Sequence, residues 1–261
     1  MEGQLPSRKG QELTDSSLVP HSSKMTTQEA ASNTAPINFG VLMIPYQMLD
    51  VVGPLDMLST TSTAVISSYE DAGIAGSAGL TAKAIDITFH HINTSLSPVQ
   101  MTATFNVLPT TTCATCPPLD YLLIGGPDPS RYTLSDDFAA FIQRHVAAGR
   151  GLFTTCTGAL AIASTGVLDG KRATTNHALL ELARQTRPQV DWVEEQWVEE
   201  GAIWTAGGAC AGMDMIAHWV TENYGVELAR FGFKALDYEP RSRDGELVLP
   251  RQHSGNLRVG S

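Results

Sequence analysis

The chain has 261 residues, a formal net charge of −10 and four cysteines. An acidic balance without any Lys/Arg cluster argues against nucleic acid as a partner, because phosphate binding needs basic side chains. Four cysteines in a chain this long do not make a disulfide framework, and no run reaches the ~18 apolar residues of a membrane span.

Residues 1–36 are rich in Ser, Thr, Gln, Glu and Lys and show almost no apolar periodicity, the composition of a disordered tail. They lack the apolar stretch of a signal peptide, so a cytoplasmic location is expected. About 225 residues follow, enough for one α/β domain with a full core. Ile37 to Ile44 predicts a buried strand. Pro45 to Asp50 reads as a loop, and Pro54 as the first residue of a helix through Leu58. Residues 60–83 are Ala/Ser/Gly-rich and weakly helical, an insertion that could lie over a site or an interface. Ala84 to Asn93 predicts a strand and Gln100 to Leu108 its hairpin partner. Cys113 and Cys116 form a C-x-x-C between Thr-Thr-Thr and Pro-Pro, which reads as a loop. No second Cys/His pair at zinc spacing accompanies it, so no metal site is expected.

Tyr121 to Ile124 predicts a strand that ends in the tight turn Gly125-Gly126. Ser135 caps a helix running to about Ala148. Gly151 to Thr155 is a short apolar strand, followed by Cys156-Thr-Gly and a helix beginning near Ala159. Arg172 to Thr175 predicts a short strand and His177 to Thr186 a helix. Val190 to Val198 and Ala202 to Ala206 form a hairpin around Glu199-Glu-Gly201. A helix from about Cys210 to Asn223 is capped by Gly225, and a last helix covers Val226 to Tyr238. Residues 241–261 are charged and Gly-containing and read as a flexible tail. Short apolar strands alternating with helices define a doubly wound, flavodoxin-like α/β sandwich over residues 37–240, with a mainly parallel sheet and helices on both faces.

Cys156 carries the chemistry. Strand, sharp turn and helix place its thiol at the kind of elbow that presents the nucleophile in hydrolases. Unpaired N–H groups at the helix start favour negative charge, so the thiol is expected to ionise more easily than usual. The same pattern also fits a buried structural cysteine. In such sheets sites gather at the carboxyl ends of strands. Asp50 lies just past the first strand, and there a carboxyl with a pKa raised by burial could hold or relay a proton for the thiol. Alone, it would equally well cap the following helix.

Asp50-x-x-Gly-Pro54, the strand ending in Gly125-Gly126, Cys156-Thr-Gly, Gly170-Lys-Arg-Ala-Thr-Thr175 and Gly207-Gly-Ala-Cys-Ala-Gly-Met-Asp214 occur in this order. Together they resemble the ThiJ/PfpI superfamily, whose fold is like class I glutamine amidotransferases, and within it the isocyanide hydratase branch. The resemblance implies a nucleophile at Cys156 and its acidic partner at Asp50. It implies a pocket-organising hydroxyl at Thr157, and places Gly126 and the backbone of Gly208-Ala209 near the cysteine. It also implies a homodimer, which the aromatic residues of the hairpin near residue 197 would suit. The implied reaction is cofactor-free hydration of an isocyanide to an N-substituted formamide through a cysteine thioimidate.

Two departures narrow the resemblance. Family members often carry Thr-Thr-His where this chain has Thr174-Thr-Asn176, and the peptidase-like members carry His where Thr157 stands. Both weaken a protease or a glyoxalase/deglycase reading, which remains the alternative for small dicarbonyl substrates. A non-enzymatic cysteine redox sensor is the other. Cys210 stands where the branch often has Thr, as a core filler or a redox partner of Cys156. Trp192, Trp197, Trp204 and Trp219 are expected in the core or an interface, and His218 is expected to be packed.

Overall fold

The computed structural model describes residues 36–249. The tail expected over residues 1–36 lies outside them except for Pro36, as do residues 250–261 of the expected C-terminal tail. Seven strands build the main sheet. They are β1 (Ile37–Leu42), β2 (Ile87–Asn93), β3 (Thr111–Thr112), β4 (Tyr121–Ile124), β5 (Gly151–Thr155), β6 (Trp197–Glu200) and β7 (Ile203–Ala206). Their spatial order is β6-β7-β5-β4-β1-β2-β3. Every neighbouring pair is parallel except the β6/β7 hairpin. The central strands have buried residues on both faces, which is why INFGVL and YLLI read as apolar runs without alternation.

The helices are α1 (Leu49–Thr60), α2 (Thr63–Asp71), α3 (Asp136–Ala147), α4 (Gly158–Ile162), α5 (Leu180–Thr186), α6 (Ala209–Tyr224) and α7 (Val226–Lys234). Helices α1, α2, α6 and α7 pack among themselves, while α3 packs against the turn that follows α4. Ser135 caps α3 as expected, its Oγ accepting from the Phe138 N–H at 3.4 Å. Asp136 and Asp137 in the first turn and Arg144 in the last suit the helix dipole.

Aromatic side chains knit the sheet to α6. Phe39 on β1 stacks on Tyr121 of β4 and Phe153 of β5, with ring centroids 6.3 and 6.2 Å apart. Trp219 of α6 meets Tyr121 edge-on at 4.9 Å. Trp192, Trp197 and Trp219 are buried in the core, and His218 packs between the Trp197 and Trp204 rings.

Four expectations change. Helix α1 starts at Leu49, so Asp50 sits in its first turn and Pro54 is inside the helix, not at its beginning. The segment 100–108 does not pair with β2. Val99–Gln100 and Asn106–Val107 instead pair with each other, because Ala103 and Thr104 take left-handed backbone angles that fold the segment on itself. Residues 60–83 hold a well-formed helix: the Ser62 Oγ accepts from the Val65 N–H, Ile66 is fully buried, and α2 packs on α1 and, through the Tyr69 and Phe231 rings, meets α7. The ordered chain also continues past Pro240. Buried Asp214 of α6 accepts from the Tyr238 hydroxyl and from the Arg241 N–H, Arg243 pairs with Glu199 at 3.2 Å, and Leu249 is buried.

Phe39 is completely buried in the stacked row. Phe39→Ala should lower the unfolding free energy by about 3–5 kcal/mol, measured by urea denaturation.

Candidate active site

The sheet reverses its winding between β1 and β4, since β2 lies on one side of β1 and β4 on the other. A crevice is expected at the carboxyl ends of strands at such a point. Asp50 follows β1, Gly126 follows β4, Cys156 follows β5, and Gly208-Ala209 follow β7. The register Thr155↔Ala206 places the ends of β5 and β7 side by side. The site residues that the resemblance implies therefore lie at one end of the sheet.

The elbow is strained and held from both sides. Cys156 has φ +54°, a left-handed angle that a non-glycine residue adopts at a cost of about 1–3 kcal/mol. Its carbonyl accepts from the Asn176 N–H at 3.1 Å and from the Thr175 hydroxyl at 2.9 Å. Those two bonds fix the peptide that the strained turn would otherwise release. Helix α4 after the elbow is only five residues long.

Asp50 is fully buried. Its Oδ2 accepts from the Gly126 N–H at 2.9 Å, directly across the crevice. No hydrogen-bond partner reaches Oδ1 among the described residues. Burial raises this carboxyl to about 6, against the pull of the Gly126 bond. A Cβ at Gly126 would lie 2.4 Å from the Thr157 Oγ1 and 3.0 Å from the Asp50 Oδ2. Only glycine lets the turn, the acid and the residue after Cys156 approach so closely. The Thr157 hydroxyl donates to the Pro127 carbonyl at 2.6 Å and so ties the elbow to the same turn.

The thiol differs from its expectation. Cys156 is pushed up, not down: burial dominates, and the nearby Asp50 carboxylate adds to it. Hydrogen bonds from Asn176 and from the Thr157 N–H oppose the shift without reversing it. The favourable field of a one-turn helix is outweighed by desolvation and a neighbouring anion. At neutral pH the pair thus rests as a neutral thiol beside a carboxylate.

Asn176 is the residue that sequence reasoning missed. Its Oδ1 accepts from the Ala178 N–H at 3.1 Å, which caps the following turn. That bond turns Nδ2 towards Cys156, where it donates to Sγ at 3.3 Å. An Asn just before a helical turn is a readable cap; its second contact is not readable. His177, one position later, points away and bonds the Glu195 carbonyl at 2.9 Å. Cys210 is exposed on α6. Cys113 and Cys116 are half-buried, and burial pushes both up, Cys116 to about 11. Among the described residues no group of three or more His, Cys, Asp and Glu side chains is placed to hold a metal ion, and no helix is long and apolar enough to cross a membrane. A cavity of about 540 Å³ lined by Arg150, Trp204 and His218 opens at the other end of the strands.

A doubly wound α/β domain with a strained cysteine elbow and a buried acid across the switch point defines a class of cysteine-centred α/β proteins. The chain belongs to the DJ-1/PfpI family, also called ThiJ/PfpI, which it matches over residues 46–222. It is 29% identical to the isonitrile hydratase of Pseudomonas putida over 206 residues, covering 78% of this chain and 79% of that one. A ThiJ/PfpI family protein of Pseudomonas syringae has the same fold, with TM-score 0.62, 21% identity and 85% of each chain covered. An HTH-type transcriptional regulator of Pseudomonas aeruginosa is 25% identical over 138 residues, 52% of this chain and 38% of the regulator.

Asp50 binds its proton more tightly folded, at about 6, than an ordinary carboxyl at 3.8. Its contribution to stability is therefore fully present below about pH 3.8 and is lost as pH rises through about 6. Asp50→Asn should be more stable than the wild type at pH 8, on the order of 3 kcal/mol, with the gap closing towards pH 4. Paired urea melts at the two pH values measure it.

Proposed function

We propose that the protein is a cofactor-free hydratase that converts an isocyanide to an N-substituted formamide. The observation that carries this reading is the buried Asp50 beside the half-buried Cys156, with one carboxylate oxygen held by Gly126 and the other without a hydrogen-bond partner among the described residues. The likeness to an isonitrile hydratase over most of both chains supports it.

One proton suffices for the addition. Asp50 takes the thiol proton, giving a Cys156 thiolate and a protonated acid. The thiolate attacks the terminal carbon of R–N≡C, and Asp50 returns the proton to that carbon, forming the thioimidate R–N=CH–S. Asp50, again a carboxylate, then takes a proton from water as the hydroxyl adds to the same carbon. That proton passes to nitrogen, the carbon–sulfur bond breaks, and the hydroxyl proton returns to sulfur as R–NH–CHO leaves. Oδ1 is the natural carrier, since Oδ2 is committed to Gly126. Asn176 supports the transient thiolate with a donor that cannot itself titrate.

Thr157, Gly126, Gly208 and Ala209 are the supporting residues of this reading, and a homodimer belongs to it on family resemblance. Dicarbonyl chemistry is disfavoured because the amide of Asn176, which faces the sulfur, cannot act as a general base. A ligand-binding role without turnover is the second reading, favoured by the likeness to an HTH-type regulator.

The test is formamide production from para-nitrophenyl isocyanide. Wild-type turnover should fall on the acid side with a midpoint near 6, where the pair gains a second proton. Cys156→Ala and Asp50→Asn should abolish it. Asn176→Ala should lower kcat about tenfold or more, as expected for losing a hydrogen bond to a charged group. No turnover by the folded wild type removes the hydratase reading.

A further inference from the structure

We infer that Pro54 and Thr155 act together as a positioning latch for Asp50: the proline leaves the Asp50 carbonyl without a helical donor, and the threonine beside Cys156 takes it. The inference rests on the reading of Cys156 and Asp50 as the reacting pair.

In an α-helix the N–H of residue i bonds the carbonyl of residue i−4. Residue 54 would serve the Asp50 carbonyl, and proline has no N–H to offer. A buried carbonyl needs a partner. The Thr155 hydroxyl supplies it at 2.9 Å, from a side chain that is itself fully buried. Thr155 is the last residue of β5 and directly precedes Cys156. One bond between residues 105 positions apart thus ties the main chain of the acid to the strand that carries the nucleophile.

The threonine is oriented by a second contact. A Cβ at Gly212 of α6 would lie 2.3 Å from the Thr155 Cγ2, so the methyl is seated against the bare backbone of that helix. With the methyl on α6, the hydroxyl is aimed at α1. Valine would keep the methyl and lose the donor; serine would keep the donor. Asp50 is then fixed at both ends, its carboxylate by the Gly126 N–H and its carbonyl by Thr155. A proline in a helix interior is otherwise disfavoured. Here its defect frees the acceptor that the latch uses.

The test reads Cys156 directly, without any isocyanide. Iodoacetamide alkylation of Cys156 in the full-length protein is followed against pH by peptide mass mapping. Asp50→Asn removes the neighbouring charge and should shift the alkylation midpoint down. Thr155→Val and Pro54→Ala should shift it down by about half as much, and Thr155→Ser should restore the wild-type midpoint. Added to Asp50→Asn, neither Thr155→Val nor Pro54→Ala should shift it further, because their effect runs through the carboxylate. Pro54→Ala should do this without lowering Tm, since alanine is the better helix residue, and should cut isocyanide turnover about tenfold. A wild-type midpoint in folded Thr155→Val and Pro54→Ala overturns the latch, as does a shift that persists undiminished on top of Asp50→Asn. A wild type that gives the predicted alkylation pattern but no formamide supports the latch and removes the hydration reading alone.

Discussion

A carboxylate buried beside a thiol is the constraint on which the site depends. A carboxyl taken fully out of water must find donors or keep its proton. Among the described residues the Asp50 carboxyl is offered one donor, the Gly126 N–H, and it settles between the two outcomes at about 6. That donor exists only because β1 and β4 are neighbours although 76 residues separate Asp50 from Gly126. The reversal of strand order, the bare backbone at position 126 and the acid therefore form one unit. A side chain at 126 would strike the Thr157 Oγ1 and the Asp50 Oδ2 together. The strained Cys156 peptide belongs to the same unit, since its carbonyl is held by the loop that also delivers Asn176 to the sulfur.

Much of this was legible from the sequence, and the parts that were not share a cause. The elbow could be read because every component is local: an apolar run, a turn, and small residues at a helix start. The β4 strand and its Gly-Gly turn could be read for the same reason. The start of α1 could not. Pro54 was read by its usual preference for the first helical turn, but Met48 to Val52 already make helical bonds, and the carbonyl that Pro54 leaves open is satisfied by a residue 105 positions away. Asn176 stood in plain view as the absence of a histidine. Its cap was local and readable; its contact with Cys156 depends on a 20-residue return of the chain. Residues 241–249 looked like tail by composition, yet Asp214, buried on α6, needs the Tyr238 hydroxyl and the Arg241 N–H as donors and so holds the segment down.

The direction of the thiol shift has a related explanation. A rule drawn from the helix start considers one field in isolation, and the folded site adds two stronger ones. Removing the thiol from water and setting an anion nearby both favour S–H over S⁻. Asn176 and the Thr157 N–H reduce this penalty, which also lowers the barrier to forming the thiolate when a reaction calls for it.

A neutral resting thiol is compatible with a nucleophile in the proposed cycle, and it separates that cycle from a redox sensor. Addition to an isocyanide carbon needs an electron pair on sulfur and a proton for the carbon. A thiol beside a carboxylate holds both, and a single transfer from Cys156 to Asp50 presents them together. A free thiolate beside a carboxylate would have the nucleophile without the proton. Oxidants select exposed thiolates, and partial burial and the nearby carboxylate both push Cys156 towards the thiol. In the proposed cycle, the desolvation that raises both Asp50 and Cys156 keeps one proton on the pair until it is passed to carbon.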